Sequence, residues 1–90
     1  MERAEFEAVL SRDGYEIVSR SMPANQVNPE HAHDFDARVL VTQGEIKIGF
    51  ADGARTYTAG EWCEVPSGRR HTEEAGPQGV SYIAGRRKPA

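Results

Sequence analysis

The sequence predicts an all-β protein, an antiparallel barrel or sandwich with one short helix at its N-terminus. Three observations carry that class. From Tyr15 onward, apolar and polar residues alternate in short runs, the period of half-buried strands. Turn formers (Gly, Pro, Asn and Asp) separate the runs at intervals of roughly eight to twelve residues. No strand is followed by a helical stretch, so the alternation that builds a parallel sheet is missing.

The helix is placed at about 2–12. Phe6, Val9 and Leu10 recur at helical spacing, Glu2, Glu5 and Glu7 favour the N-terminal end, and Gly14 after Asp13 reads as a C-cap. Its narrow apolar stripe suits a lid laid across a sheet edge or a partner subunit. Tyr15 to Met22 forms a strand, broken by Pro23-Ala24-Asn25, and Pro29 delays the next one until about Glu30. A long central strand then runs to Thr42. Within it His31, His33, Phe35, Ala37, Val39 and Val41 share the inner face, and Asp34, Asp36 and Arg38 the outer. Leu40 is the apolar residue out of phase and, with Trp62, suggests a dimer contact.

Gly44 turns the chain into Glu45 to Phe50, and Asp52-Gly53 marks a hairpin ahead of Ala54 to Thr58. Gly60 opens the next turn, after which Glu61, Cys63 and Val65 share an inward face. Pro66-Ser67-Gly68 turns again before a strand with His71, Glu73 and Ala75 on one side. Val80 to Ala84 closes the sheet, and Arg86-Arg87-Lys88 reads as a solvated tail.

Ninety residues with 38% hydrophobic content make one domain, 1–90, with the barrel at about 15–86. A chain this short buries only roughly two-thirds of its unfolded surface, so a dimer interface or a bound metal would supplement its core. The formal net charge of -3 leaves no basic field for nucleic acid. The one cysteine, Cys63, cannot form an internal disulfide. No run is long enough for a membrane span, and the acidic first residues do not resemble a signal peptide. The expectation is a cytoplasmic protein that touches neither membrane nor nucleic acid.

The chain has three histidines, two of them in His31-Ala32-His33. On a strand their rings project to one side, among the apolar residues. Imidazoles aimed into an interior need partners for their ring nitrogens, and a metal ion supplies one. The third, His71, follows its own marked turn.

His31-x-His33 followed by Gly44, then Gly60-x5-Pro66-x-Gly68-x2-His71, resembles the two motifs of the cupin superfamily, in particular its small single-domain members. The second motif matches without a gap. The resemblance implies a double-stranded β-helix, a jelly-roll barrel, usually a homodimer, with a divalent metal inside held by His31, His33 and His71. Three positions depart from the family pattern. Asn25 replaces a glycine, a mild change because Asn tolerates the left-handed conformation. Ala37 stands where the family carries a metal-binding glutamate, and Ala75 where it often carries an asparagine.

Three neutral ligands leave the metal its full double charge and open coordination positions, which favours anionic bidentate ligands. Similar three-histidine cupins are iron dioxygenases of diketones or thiols. The metal itself is open among iron, zinc, nickel, manganese and copper. Glu73 should face inward, where it fills the vacant ligand position or acts as a general base; the alternative is a solvated side chain on a frayed strand. Glu30 and Asp36 read as surface charges, Cys63 as a small buried hydrophobe, and Tyr57 and Tyr82 as core or cavity lining. Three functions follow: a metal-dependent dioxygenase, isomerase or lyase acting on a small molecule, a non-catalytic small-molecule-binding module, or a barrel with purely structural zinc, the last disfavoured because closed structural sites use four ligands.

Overall fold

The computed structural model describes residues 1–89. The order is one helix, α1 (Arg3–Arg12), then six strands: β1 (Glu16–Met22), β2 (Val27–His31), β3 (Asp36–Phe50), β4 (Gly53–Thr58), β5 (Trp62–Val65) and β6 (His71–Arg87). Every strand pairing is antiparallel. The long strands β3 and β6 pair along most of their length and run through both layers of the barrel. In one layer their outer flanks carry β5 and β1, and in the other β4 and β2.

Two irregularities let β3 bend from one layer into the other. Its register against β6 shifts between Val41 and Gln43 and again between Gly44 and Ile46. The inner face therefore passes from Val39 and Val41 to Ile46 and Ile48, from odd to even numbers, without losing the core. Gly44 has φ 77°, and a Cβ there would lie 2.1 Å from the carbonyl oxygen of Gly79 on β6. Only glycine fits this bulge. The expected turn at Gly44 is thus a bulge within one continuous strand. In the same way the two expected strands around His71 and Val80 are one strand, β6, because β3 pairs with both halves.

Two apolar clusters result. Met22, Val41, Ile46, Ile48, Ala75 and Val80 pack between the layers. Phe6, Leu10, Tyr15, Leu40 and Ile83 pack on the outside, beneath α1. Leu40 is 1% exposed, so the lid that its out-of-phase position requires is the chain's own helix and it offers no dimer contact. Trp62 remains 44% exposed, its ring 6.1 Å from that of Phe6. The helix ends as expected at Asp13-Gly14: Gly14 N–H donates to Ser11 O and Tyr15 N–H to Leu10 O, a Schellman closure that folds Tyr15 back onto Leu10.

Arg86 and Arg87 lie within β6 and do not form a tail. Arg86 pairs with Glu16, and Arg87 donates to the carbonyl of Asp13. Glu61 does not point inward: its carboxylate accepts from the backbone N–H and hydroxyl of Thr58 and closes its own turn. No helix among the described residues is long and apolar enough to cross a membrane.

Candidate metal centre

The expected long strand carrying both His31 and His33 is interrupted. His31 ends β2, residues 32–35 form a short irregular link, and β3 begins at Asp36. The link is held by the Pro66-Ser67-Gly68 turn: Gly68 N–H donates to the carbonyl of His33, and Ser67 N–H donates to the carboxylate of Asp36, both at 2.9 Å. Asp36 is therefore a structural anchor and not a free surface charge. That turn lies in the second motif and fixes a histidine of the first, which gives a physical reason for both segments to occur together. The ring of His33 stacks on Phe35 at 4.6 Å.

The link brings the three rings together. The donor atoms of His31, His33 and His71 all lie within 4.8 Å of one another, so they can hold one metal ion. His31 and His71 are direct cross-strand partners, with ring centroids 4.3 Å apart. His71 is 1% exposed, whereas His31 and His33 are half-buried. Nδ1 of His31 lies 2.7 Å from the carbonyl of Pro29, and Nδ1 of His71 lies 3.0 Å from that of Arg69. A carbonyl only accepts, so each Nδ1 is the donor, and Nε2 is the nitrogen left to ligate when the ring is neutral. Fixing the tautomer through the second ring nitrogen is how metal-ligating histidines are oriented. Burial holds the His33 imidazole below its ordinary pKa, and the neighbouring rings of His31 and His71 push the same way, favouring its neutral, ligating form.

Glu73 points inward beside these rings, on a strand that does not fray. Oε1 lies 3.8 Å from Nε2 of His31, and Oε2 lies 3.8 Å from Nε2 of His71. Asn28 on β2 donates to Oε1 at 2.9 Å and orients the carboxylate. The donor set is therefore three imidazoles with one carboxylate within reach, and a divalent ion of the imidazole-binding kind fits it.

The centre opens on a cavity of about 170 Å³, lined mainly by apolar surface that includes Val18, Val39, Ile48 and Ala84. Tyr82 also lines it, while Tyr57 packs against the interior cluster. Cys63 is a half-buried thiol packed against that same cluster, and burial pushes its pKa up to about 11. The sequence-based reading missed three polar residues. Arg20 and Arg86 line the cavity, and Asn28 holds Glu73. Val18, Arg20 and Met22 alternate along β1, and that period would have placed Arg20 on the inner face.

No family model matches the chain, and no curated protein matches it in sequence. Among solved structures it resembles a cupin-2 domain containing protein from Shewanella frigidimarina, with TM-score 0.70 and 24% identity over 83% of this chain and 71% of that one. An RmlC-like cupin from the same organism gives TM-score 0.73 and 21% identity, covering 83% of this chain and 67% of that one. KdgF from a Halomonas species gives 0.74 and 18%, covering 84% and 70%. Likeness at these identities is one of fold, and it agrees with the bent strands, the two layers and the inward histidines: the chain has the fold of a small cupin domain.

Proposed function

We propose that this protein is a divalent-metal-dependent enzyme that removes a proton from a small enolisable or anionic molecule held in the barrel, with dioxygenase-like, isomerase or lyase chemistry following. The observation that carries the reading is the pair of backbone-pinned histidines, His31 and His71, with the Glu73 carboxylate 3.8 Å from Nε2 of each. An ion bound by His31, His33 and His71 supplies Lewis acidity toward a carbonyl, enolate or thiolate of the substrate. Asn28 occupies Oε1 of Glu73, which leaves Oε2 to accept the proton from the substrate carbon while the electron pair moves onto the carbonyl oxygen. The mainly apolar walls suit a substrate with an apolar body.

Elemental analysis of untagged protein, with oxygen uptake and solvent-deuterium exchange measured on small diketones and thiols, tests this. The expected result is about one metal per chain and exchange that falls by roughly a hundredfold or more in Glu73→Gln, the range for a general base. Metal-free protein, or exchange indifferent to Glu73→Gln, overturns it. The small cavity with mainly apolar walls favours a second reading, a binding module that holds a ligand without turnover. Ligand binding with metal bound and no exchange or oxygen uptake selects that reading.

A further inference from the structure

The wall opposite the histidines is built by the layer containing β1 and the second half of β6. Its inward residues alternate along both strands, with Arg20 paired to Tyr82, Val18 to Ala84 and Glu16 to Arg86. Two arginines, Arg20 and Arg86, thus line a cavity that is otherwise mainly apolar. They are not equivalent. Arg86 is committed, because it donates to the Glu16 carboxylate and lies 5.6 Å from the ring of Phe35. Arg20 makes no ion pair or side-chain hydrogen bond among the described residues.

Arg20 is an exposed residue that also lines the cavity, and an arginine so placed without a partner is a forked donor of fixed charge, matched in geometry to a carboxylate. Across the cavity, the one carboxylate that lines it among the described residues is Glu73, already engaged by Asn28. A divalent ion there together with Arg20 gives three positive charges against the single charge of Glu73. A cavity of about 170 Å³ suits a short-chain molecule and is too small for a nucleotide or a sugar chain.

We propose that Arg20 is the specificity-determining residue of this cavity, and that the ligand is a small organic carboxylate. Its carboxylate is gripped by Arg20, and a second oxygen or sulfur donor, separated from it by an apolar segment, meets the three-histidine centre. This inference rests on the metal-binding reading of His31, His33 and His71 and adds to it the class of molecule that binds.

The experiment uses the whole chain loaded with cobalt(II), with metal stoichiometry measured first. Calorimetric titration then compares succinylacetone, a diketone whose carboxylate lies too far along the chain to chelate the same ion, with heptane-2,4-dione, which lacks it. Visible absorption of the cobalt reports whether the diketone end reaches the metal. Wild-type protein is expected to bind succinylacetone at least about tenfold more tightly, the worth of a charged hydrogen-bonded contact. In Arg20→Met that preference disappears while metal stoichiometry and heptane-2,4-dione affinity stay unchanged, and Arg20→Lys restores part of it. Arg20 is an exposed residue, so these variants keep the barrel. A preference that survives in Arg20→Met, or an equal loss for both ligands, overturns the assignment of Arg20 with the metal centre intact. Wild-type protein that takes up no cobalt overturns the centre itself and the inference with it.

Discussion

His31 and His71 stand opposite each other across β2 and β6, and each directs its Nδ1 at the backbone carbonyl two residues before it in the chain, Pro29 O for one and Arg69 O for the other. The rings are therefore oriented by backbone that the β-ladder already fixes. Orientation costs little entropy when the metal arrives.

Replacing any of the three histidines by alanine should lower metal stoichiometry from about one per chain to near zero. For His31 and His33, both half-buried, the barrel should stay folded. His71→Ala adds a packing loss, because its ring is 1% exposed, and a drop in stability of about 1–3 kcal/mol is expected with it. Metal analysis beside circular dichroism separates the two effects. Full metal occupancy in all three variants would sink the assignment.

Asn28 should behave as an orienting residue. Its amide holds Oε1 of Glu73 at 2.9 Å, and Glu73 lies beside two of the candidate ligands, His31 and His71. Outer partners of this kind are typically worth about 10–100-fold in metal affinity or activity. Asn28→Ala should weaken metal binding within that range in a chelator competition, with stoichiometry still reaching one at saturation. An affinity equal to wild type would show that the Asn28–Glu73 bond does not bear on the centre.

Much of this site was legible because period two is a local property. His71 and Glu73 alternate along one strand, and nothing intervenes to change their parity. His33 was legible as a candidate ligand but not as part of an irregular link, since its position depends on Gly68 and Ser67 reaching across from a turn distant in sequence. Gly44 illustrates the same limit. A glycine serves a turn or a bulge equally well, and here the continuous pairing of β3 with β6 decides for the bulge. Arg86 was read as tail because charge runs are usually solvated, and its place in β6 is set by pairing with β1 and β3.

Leu40 offers a direct test of the outer core. It is 1% exposed beneath α1, together with Phe6, Leu10 and Ile83. Leu40→Ala should cost about 2–5 kcal/mol by urea denaturation, the range for large-to-small changes at a buried leucine. Trp62→Ala, at a side chain 44% exposed, should cost only about 1 kcal/mol. Similar costs for the two would mean that the helix does not cover Leu40 as described.

Stability should fall in alkali through groups inside the barrel. Burial pushes the Cys63 thiol up to about 11 from an ordinary value of 9.0, and the Glu73 carboxylate adds to the shift. The tyrosine hydroxyls of Tyr82 and Tyr57 are raised as well, again chiefly by burial. A folded-state pKa above the unfolded one means that the unfolded chain releases its proton first as pH rises. The stabilisation is then complete below about pH 9 and is lost as pH climbs toward 11. For Cys63 alone the loss is at most about 3 kcal/mol, since two pH units at 1.36 kcal/mol each set the upper bound and its half-exposed position lowers it. Urea midpoints should hold level from pH 7 to 9 and then decline, with Cys63→Ala showing a shallower decline and the tyrosines supplying the remainder. A wild-type midpoint unchanged between pH 8.5 and 10.5 would contradict the burial of these groups, as would a Cys63→Ala curve of the same slope as wild type.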